Sequence, residues 1–241
     1  MNRTFHFLIL FCAVIRSIPS QGQAESLAPR ETGYPFIENF LPEQYQGFSQ
    51  NWGMVQDSRG LLYFANGHGV LIYDGVSWEL VPLLNNSHAK SIAIDGNDRV
   101  YVGASGEFGY LQADSVGKMQ YRSLVPHLAL EHREFSTIWE TVATDNGIYF
   151  RTYNTIYQWS NNHFQLWQVE PNVKIKAMTW LKDKLIVAAT GSGIMEFDNE
   201  GFNLLPGGEE FADENVYVIM EYGANSLLLG TTANGLFLLQ D

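Results

Sequence analysis

Leu61-Leu62-Tyr63-Phe64-Ala65 is a short apolar run that returns four more times along the chain. The copies are Arg99-Val100-Tyr101-Val102-Gly103, Gly147-Ile148-Tyr149-Phe150-Arg151, Lys184-Leu185-Ile186-Val187-Ala188 and Ser226-Leu227-Leu228-Leu229-Gly230. Their central residues, Tyr63, Tyr101, Tyr149, Ile186 and Leu228, lie 38, 48, 37 and 42 residues apart. Runs of β-branched, aliphatic and aromatic residues bounded by turn formers read as strands. A repeat of about 40 to 50 residues is the interval of a propeller blade.

Working outward from each copy, the neighbouring residues supply the rest of a blade. Before it stands another strand, as in Ser91-Ile92-Ala93-Ile94-Asp95 or Val216-Tyr217-Val218-Ile219-Met220. The two are joined by turn-forming residues such as Asp57-Ser58-Arg59-Gly60, Asp95-Gly96-Asn97-Asp98 or Asp145-Asn146-Gly147. A third strand follows in Gly69–Asp74, Phe108–Leu111, Thr155–Trp159, Gly193–Asp198 and Gly235–Leu239, and a fourth in Ser77–Val81, Lys118–Arg122 and His163–Trp167. Four antiparallel strands per repeat make an all-β, propeller-type chain of about five blades. Approximate blade limits are 51–83, 89–126, 135–170, 174–208 and 215–241, preceded by an extended segment at 25–50. The fifth copy stops after its third strand. Either a segment such as Phe36-Ile37-Glu38-Asn39-Phe40 supplies the outer strand and closes a small ring, or the ring is incomplete and the chain is a fragment of a longer protein. An open ring leaves strand edges that stable proteins avoid, and the fragment reading is preferred because closure of five irregular blades cannot be read from sequence.

The first 24 residues read as a secretory signal peptide: Arg3 in a positive n-region, an apolar stretch from Phe5 to Ile15, and a small-x-small site at Gly22-Gln23-Ala24. The apolar stretch is too short to span a bilayer, so no membrane span is expected once it is cleaved, and the protein is expected to be periplasmic or extracellular. The one cysteine, Cys12, lies inside the signal, and bulky Phe11 before it argues against lipidation. The mature chain therefore has no thiol for disulfides, catalysis or metal binding. Cleavage removes Arg3 and Arg16 but no acid, which moves the net charge from −12 to −14. No basic cluster is present, and nucleic acid is excluded as a partner.

At these residues the chain resembles the regulator-propeller (two-component regulator propeller) repeats in the exported N-terminal sensor regions of bacterial hybrid histidine kinases. The first blade carries the pattern in Asp57, Gly60, Tyr63, Gly69, Val70, Tyr73 and Asp74, and the last in Gly230-Thr231-Thr232-Ala233-Asn234-Gly235-Leu236-Phe237. Gln50-Asn51-Trp52-Gly53 and Tyr73-Asp74-Gly75-Val76-Ser77-Trp78 also look like the opening of such a sensor. The second and third blades depart from it, reading Gly103-Ala104-Ser105 and Arg151-Thr152-Tyr153 where a Gly-Thr pair is expected. The resemblance implies an exported ligand-sensing or interaction domain, the input region of a two-component-type receptor, whose partners are further blades or a signalling module.

In a propeller the loops between second and third strands project to one face around the axis. Here they offer Asn66, His68, Glu107, Arg151, Tyr153, Thr190 and Asn234 as a candidate ligand-binding rim. Amides, hydroxyls, single charges and aromatics suit an oligosaccharide or another small polar ligand. The same residue types also simply make turns. Trp78, Trp159 and Trp167 fall where outer strands pack, whereas Trp52 and Trp139 lie at the entry of innermost strands, where stacking toward the channel is open to them. The alternative function is a propeller enzyme acting on polysaccharides, a glycosidase or lyase, for which paired carboxylates are required. Glu107, Glu140 and Asp145 are the candidates, but they carry no catalytic signature, and no catalytic residue is assigned. Asp57, Asp74, Asp95 and Asp198 follow the repeat and read as turn caps. The histidines show no metal-ligand spacing beyond His127 and His132, and neither a metal nor a cofactor is expected.

Overall fold

A computed structural model describes residues 37–198, 201–223 and 226–240. The expected signal peptide and residues 25–36 of the expected N-terminal segment lie outside these residues. By its contacts the chain divides after Asn39, and the unit from Phe40 onward holds every strand. It opens with a single helical turn, α1 (Pro42–Tyr45), started by Pro42, whose missing N–H is no loss at a helix N-terminus.

The strands form five separate antiparallel sheets, each meandering outward in chain order. The first blade is β1 (Asn51–Gln56), β2 (Leu62–Asn66), β3 (Gly69–Tyr73) and β4 (Trp78–Val81). The second is β5 (Ala89–Ile94), β6 (Val100–Ala104), β7 (Glu107–Ala113) and β8 (Met119–Ser123). The third is β9 (Glu140–Thr144), β10 (Gly147–Arg151), β11 (Thr155–Ser160) and β12 (His163–Gln168). The fourth is β13 (Ile175–Leu181), β14 (Lys184–Ala189), β15 (Gly193–Phe197) and β16 (Phe202–Leu204), and the last is β17 (Val216–Glu221), β18 (Ser226–Thr231) and β19 (Leu236–Gln240). The fold is a β-propeller, and all five apolar runs are the second strands of their blades. The sequence reading missed β16, whose three residues are too few to show an alternation.

The first strands β1, β5, β9, β13 and β17 lie side by side from blade to blade and line the axis. One apolar cluster fills each space between neighbouring blades. Tyr63, Val70, Val102 and Leu111 belong to the first cluster, Phe108, Phe150 and Tyr157 to the second, Tyr149, Val187 and Phe197 to the third, and Ile194, Phe211 and Leu229 to the fourth. Each of the three middle blades is thus covered on both faces by its neighbours. The last sheet has no fourth strand among the described residues. Phe40, the last residue of the segment offered for closure, packs at 5.2 Å from both Tyr73 and Trp78 of the first blade. Its ring is held there by an aromatic cluster on the outer strands. Val218, Met220, Leu236 and Leu238 of the fifth blade are exposed.

The repeated aspartates are turn caps. Asp57 accepts the backbone N–H groups of Arg59 and Leu61, Asp95 those of Asn97 and Arg99, and Asp74 those of Val76 and Ser77. Asp198 does the same for Gly201. Gly69, Gly193 and Gly235, which start or precede the third strands, all have positive φ.

Candidate functional site

The axial end of the blades is built by a repeated irregularity. In β1, Asn51 pairs with Asn66 and Gly53 with Ala65, which leaves Trp52 with no partner across the ladder. The same slip leaves out Lys90 between Ala89 and Ser91, Lys176 between Ile175 and Ala177, and Tyr217 between Val216 and Val218. In the third blade Trp139 stands at this place, one residue before β9, with its N–H on the Arg151 carbonyl at 2.8 Å. A bulge turns the extra residue out of the ladder and re-aims its side chain. Each blade therefore presents one residue at the entry of its first strand, freed by a bulge in four blades and standing just before the strand in the third: Trp52, Lys90, Trp139, Lys176 and Tyr217.

These side chains touch in an unbroken series. The Lys90 ammonium lies 3.7 Å above the Trp52 ring, and Trp52 meets Trp139 edge to face at 6.2 Å. Trp139 packs on Tyr153 at 5.5 Å. Lys176 is 5.1 Å from the Tyr153 ring and 5.3 Å from that of Tyr217, and its Nζ donates to the Tyr217 hydroxyl at 3.2 Å. Trp52 and Tyr217 remain exposed, and the other four are half-buried. Burial beside Trp52 pushes the Lys90 ammonium below its usual pKa. The result is a shelf of aromatic faces with two cations at one end of the channel.

Beneath Trp139, Arg151 Nε donates to Glu140 Oε2 at 2.8 Å, and its Nη1 donates to the carbonyl of Ile175 at 2.7 Å. Burial raises the Glu140 carboxyl above its usual range even though the Arg151 charge pulls the other way. The pair ties the third blade to the fourth where both enter the shelf.

Of the seven rim residues expected from the sequence, the structure brings only Tyr153 onto this shelf. Three are corrected. Arg151 is 2% exposed and is consumed by the contacts just described. Glu107 is also buried, its Oε1 accepting the Tyr121 and Ser123 hydroxyls at 3.1 and 2.6 Å and its own neighbour's N–H. Asn66 is fully enclosed: it donates to the Phe48 carbonyl at 2.6 Å and accepts the N–H groups of Phe48 and His68, clasping the approach to β1. They are pulled inward because each closes a loop whose backbone groups need partners away from water. His68 is exposed and its ring lies by Phe48. Thr190 accepts the Lys174 N–H at 3.0 Å, and exposed Asn234 donates to Glu214 at 2.7 Å. Lys90, Lys176 and Tyr217 were missed. Their signal was positional: each is a large polar or aromatic residue beside buried ones at the entry of a first strand.

No family model and no curated protein matches this sequence. The fold is matched by solved structures. The extracellular domain of the hybrid two component system BT3049 from B. thetaiotaomicron aligns with 79% of this chain at TM-score 0.60 and 17% identity, and that of BT4673 from the same organism with 82% at 0.58 and 18%. The chain spans only 28% and 27% of the length of those two domains. A virginiamycin B lyase from Staphylococcus aureus aligns with 80% of this chain and 70% of its own at TM-score 0.55 and 15% identity. The resemblance to sensor propellers read from the repeats is thus met in the fold. At these identities the likeness is one of fold. Among the described residues no helix is long and apolar enough to cross a membrane.

Proposed function

We propose that this chain is an exported ligand-sensing propeller, the input part of a two-component-type signalling receptor, and that it holds an oligosaccharide on the shelf from Lys90 to Tyr217. The observation that carries this reading is the strand entry: in four blades a bulge frees the residue there, in the third Trp139 stands at it, and each of these residues can stack on or hydrogen-bond to a sugar. Aromatic faces take up the apolar faces of sugar rings, and polar groups at their edges fix orientation. The likeness to extracellular domains supports export, with residues 1–24 as the signal peptide and a periplasmic or extracellular location. Exposed Val218, Met220, Leu236 and Leu238 support further blades or a signalling partner against the fifth blade, which would carry the output.

The enzyme reading gains little from the geometry. Glu107 is locked among hydroxyls and Glu140 is held by Arg151. Glu140 and Asp145 lie at opposite ends of β9, roughly 16 Å apart at the usual strand rise, whereas glycosidase carboxylates stand about 5 to 9.5 Å apart. Calorimetry of the exported chain against a panel of neutral and acidic oligosaccharides, with product analysis of the same mixtures, tests the proposal. Binding without turnover is expected. Turnover of any member would overturn it in favour of a propeller enzyme.

A further inference from the structure

The two lysines of the shelf have no acidic partner. Among the described residues the ion pairs are Arg59–Asp57, Arg151–Glu140 and Lys184–Glu196, and neither Lys90 nor Lys176 takes part. Instead, both ammonium groups are held over aromatic rings at 3.7, 5.1 and 5.3 Å. The single hydrogen bond seen for either is the one from Lys176 to Tyr217. The acid nearest the shelf in sequence, Glu140, is already neutralised by Arg151. An ammonium has three donors, so each lysine keeps donors for something that lies on the shelf.

From this arrangement we infer that the ligand is an acidic saccharide, a uronate oligomer whose ring faces stack on Trp52, Trp139 and Tyr153 while its carboxylates are met by Lys90 and Lys176. The inference rests on the proposed ligand shelf and adds the charge of what binds there. Both lysines project from bulges, and the rings hold their ammonium groups. A neutral sugar would leave two partly desolvated cations uncompensated. A carboxylate completes them with charge-assisted hydrogen bonds, which are shorter and stronger than neutral ones. The net negative charge of the chain disfavours such ligands over the rest of its surface.

The test uses trigalacturonate and triguluronate beside their fully methyl-esterified forms, which keep the shape and lose the charge. Calorimetry with the exported chain is expected to show each acid binding about tenfold or more tightly than its ester. Lys90→Met and Lys176→Met, with unchanged melting temperatures, should each bring the acid close to its ester. Added salt should weaken the acids alone. Esters that bind as tightly as the acids would overturn the inference and leave the shelf standing. Failure of acids and esters alike, with neutral oligosaccharides still bound by Lys90→Met and by Trp139→Ala, would overturn both the inference and the shelf.

Discussion

Trp52 of the first blade and Trp139 of the third meet edge to face at 6.2 Å, although a whole blade separates them in the chain. They can do so because each stands at the entry of a first strand, Trp52 as the residue a bulge sets free. A position that looks like a packing tryptophan in one repeat thereby becomes part of a surface spanning several. Shortening the bulge should scatter that surface without unfolding the blade. Deleting Trp52 is therefore expected to abolish oligosaccharide binding while far-ultraviolet circular dichroism stays that of the parent.

The Arg151–Glu140 pair predicts a stability effect that exposed loop charges would not have. Arg151→Ala leaves the Glu140 carboxylate and the Ile175 carbonyl without their donor, and should cost about 2 to 4 kcal/mol in denaturant unfolding. Arg151→Lys should recover only part of this, since a lysine lacks the fixed fork with which the guanidinium meets the Glu140 carboxylate and the Ile175 carbonyl at once. A loss under about 0.5 kcal/mol, the level of ordinary surface changes, would contradict the assignment.

Gly193 and Gly235 separate strain from crowding. Both have positive φ, +96° and +82°, but a Cβ on Gly193 would meet the Gly208 carbonyl oxygen at 2.1 Å, whereas one on Gly235 meets nothing within 4 Å. Gly235→Ala should cost about 1 kcal/mol from backbone strain alone, and Gly193→Val more than about 3. Ser192→Ala beside it should lie within about 0.5 kcal/mol of the parent. Equal effects at the two glycines would show that β15 and its partner loop are wrongly placed.

Asp57 and Tyr63 make the stability pH-dependent at both extremes. Burial alone would raise the Asp57 carboxyl, but hydrogen bonds from the Arg59 side chain, the Leu61 N–H and the Tyr63 hydroxyl together hold it below its usual value. A depressed folded pKa stabilises the protein above the unfolded value near 3.9, and the contribution disappears as pH falls through the folded one. Tyr63 is pushed up to about 12, by burial first and then by Asp57. The unfolded tyrosine ionises first, so stability should fall as pH rises from about 10 toward 12. Asp57→Asn should lower stability at pH 7 and flatten the acid limb of a melting-temperature profile.

The blades were legible because the second strands of the middle blades, β6, β10 and β14, are buried on both faces and read as continuous apolar runs, which Leu61–Ala65 and Ser226–Gly230 match in sequence. The turn caps were legible because Asp57 and Asp95 recur at fixed distances from Tyr63 and Tyr101. The shelf was only half legible. Trp52 and Trp139 drew attention by their type, but Lys90 and Lys176 look like ordinary exposed charges until the register slip that frees them is known. Arg151 and Glu107 misled for the opposite reason: a charged residue in a polar loop reads as exposed, and nothing local reveals that Glu140, Ile175, Tyr121 and Ser123 wait to bind it inside.

The central claim is that ligand lies on the shelf from Lys90 to Tyr217, and calorimetry of Trp139→Ala with the oligosaccharide that the parent binds tests it most directly. The account predicts an affinity lower by about tenfold or more, with no product formed and with the unfolding transition still cooperative. Unchanged affinity in Trp139→Ala, with binding abolished instead by changes at His68 or Asn234, would contradict it.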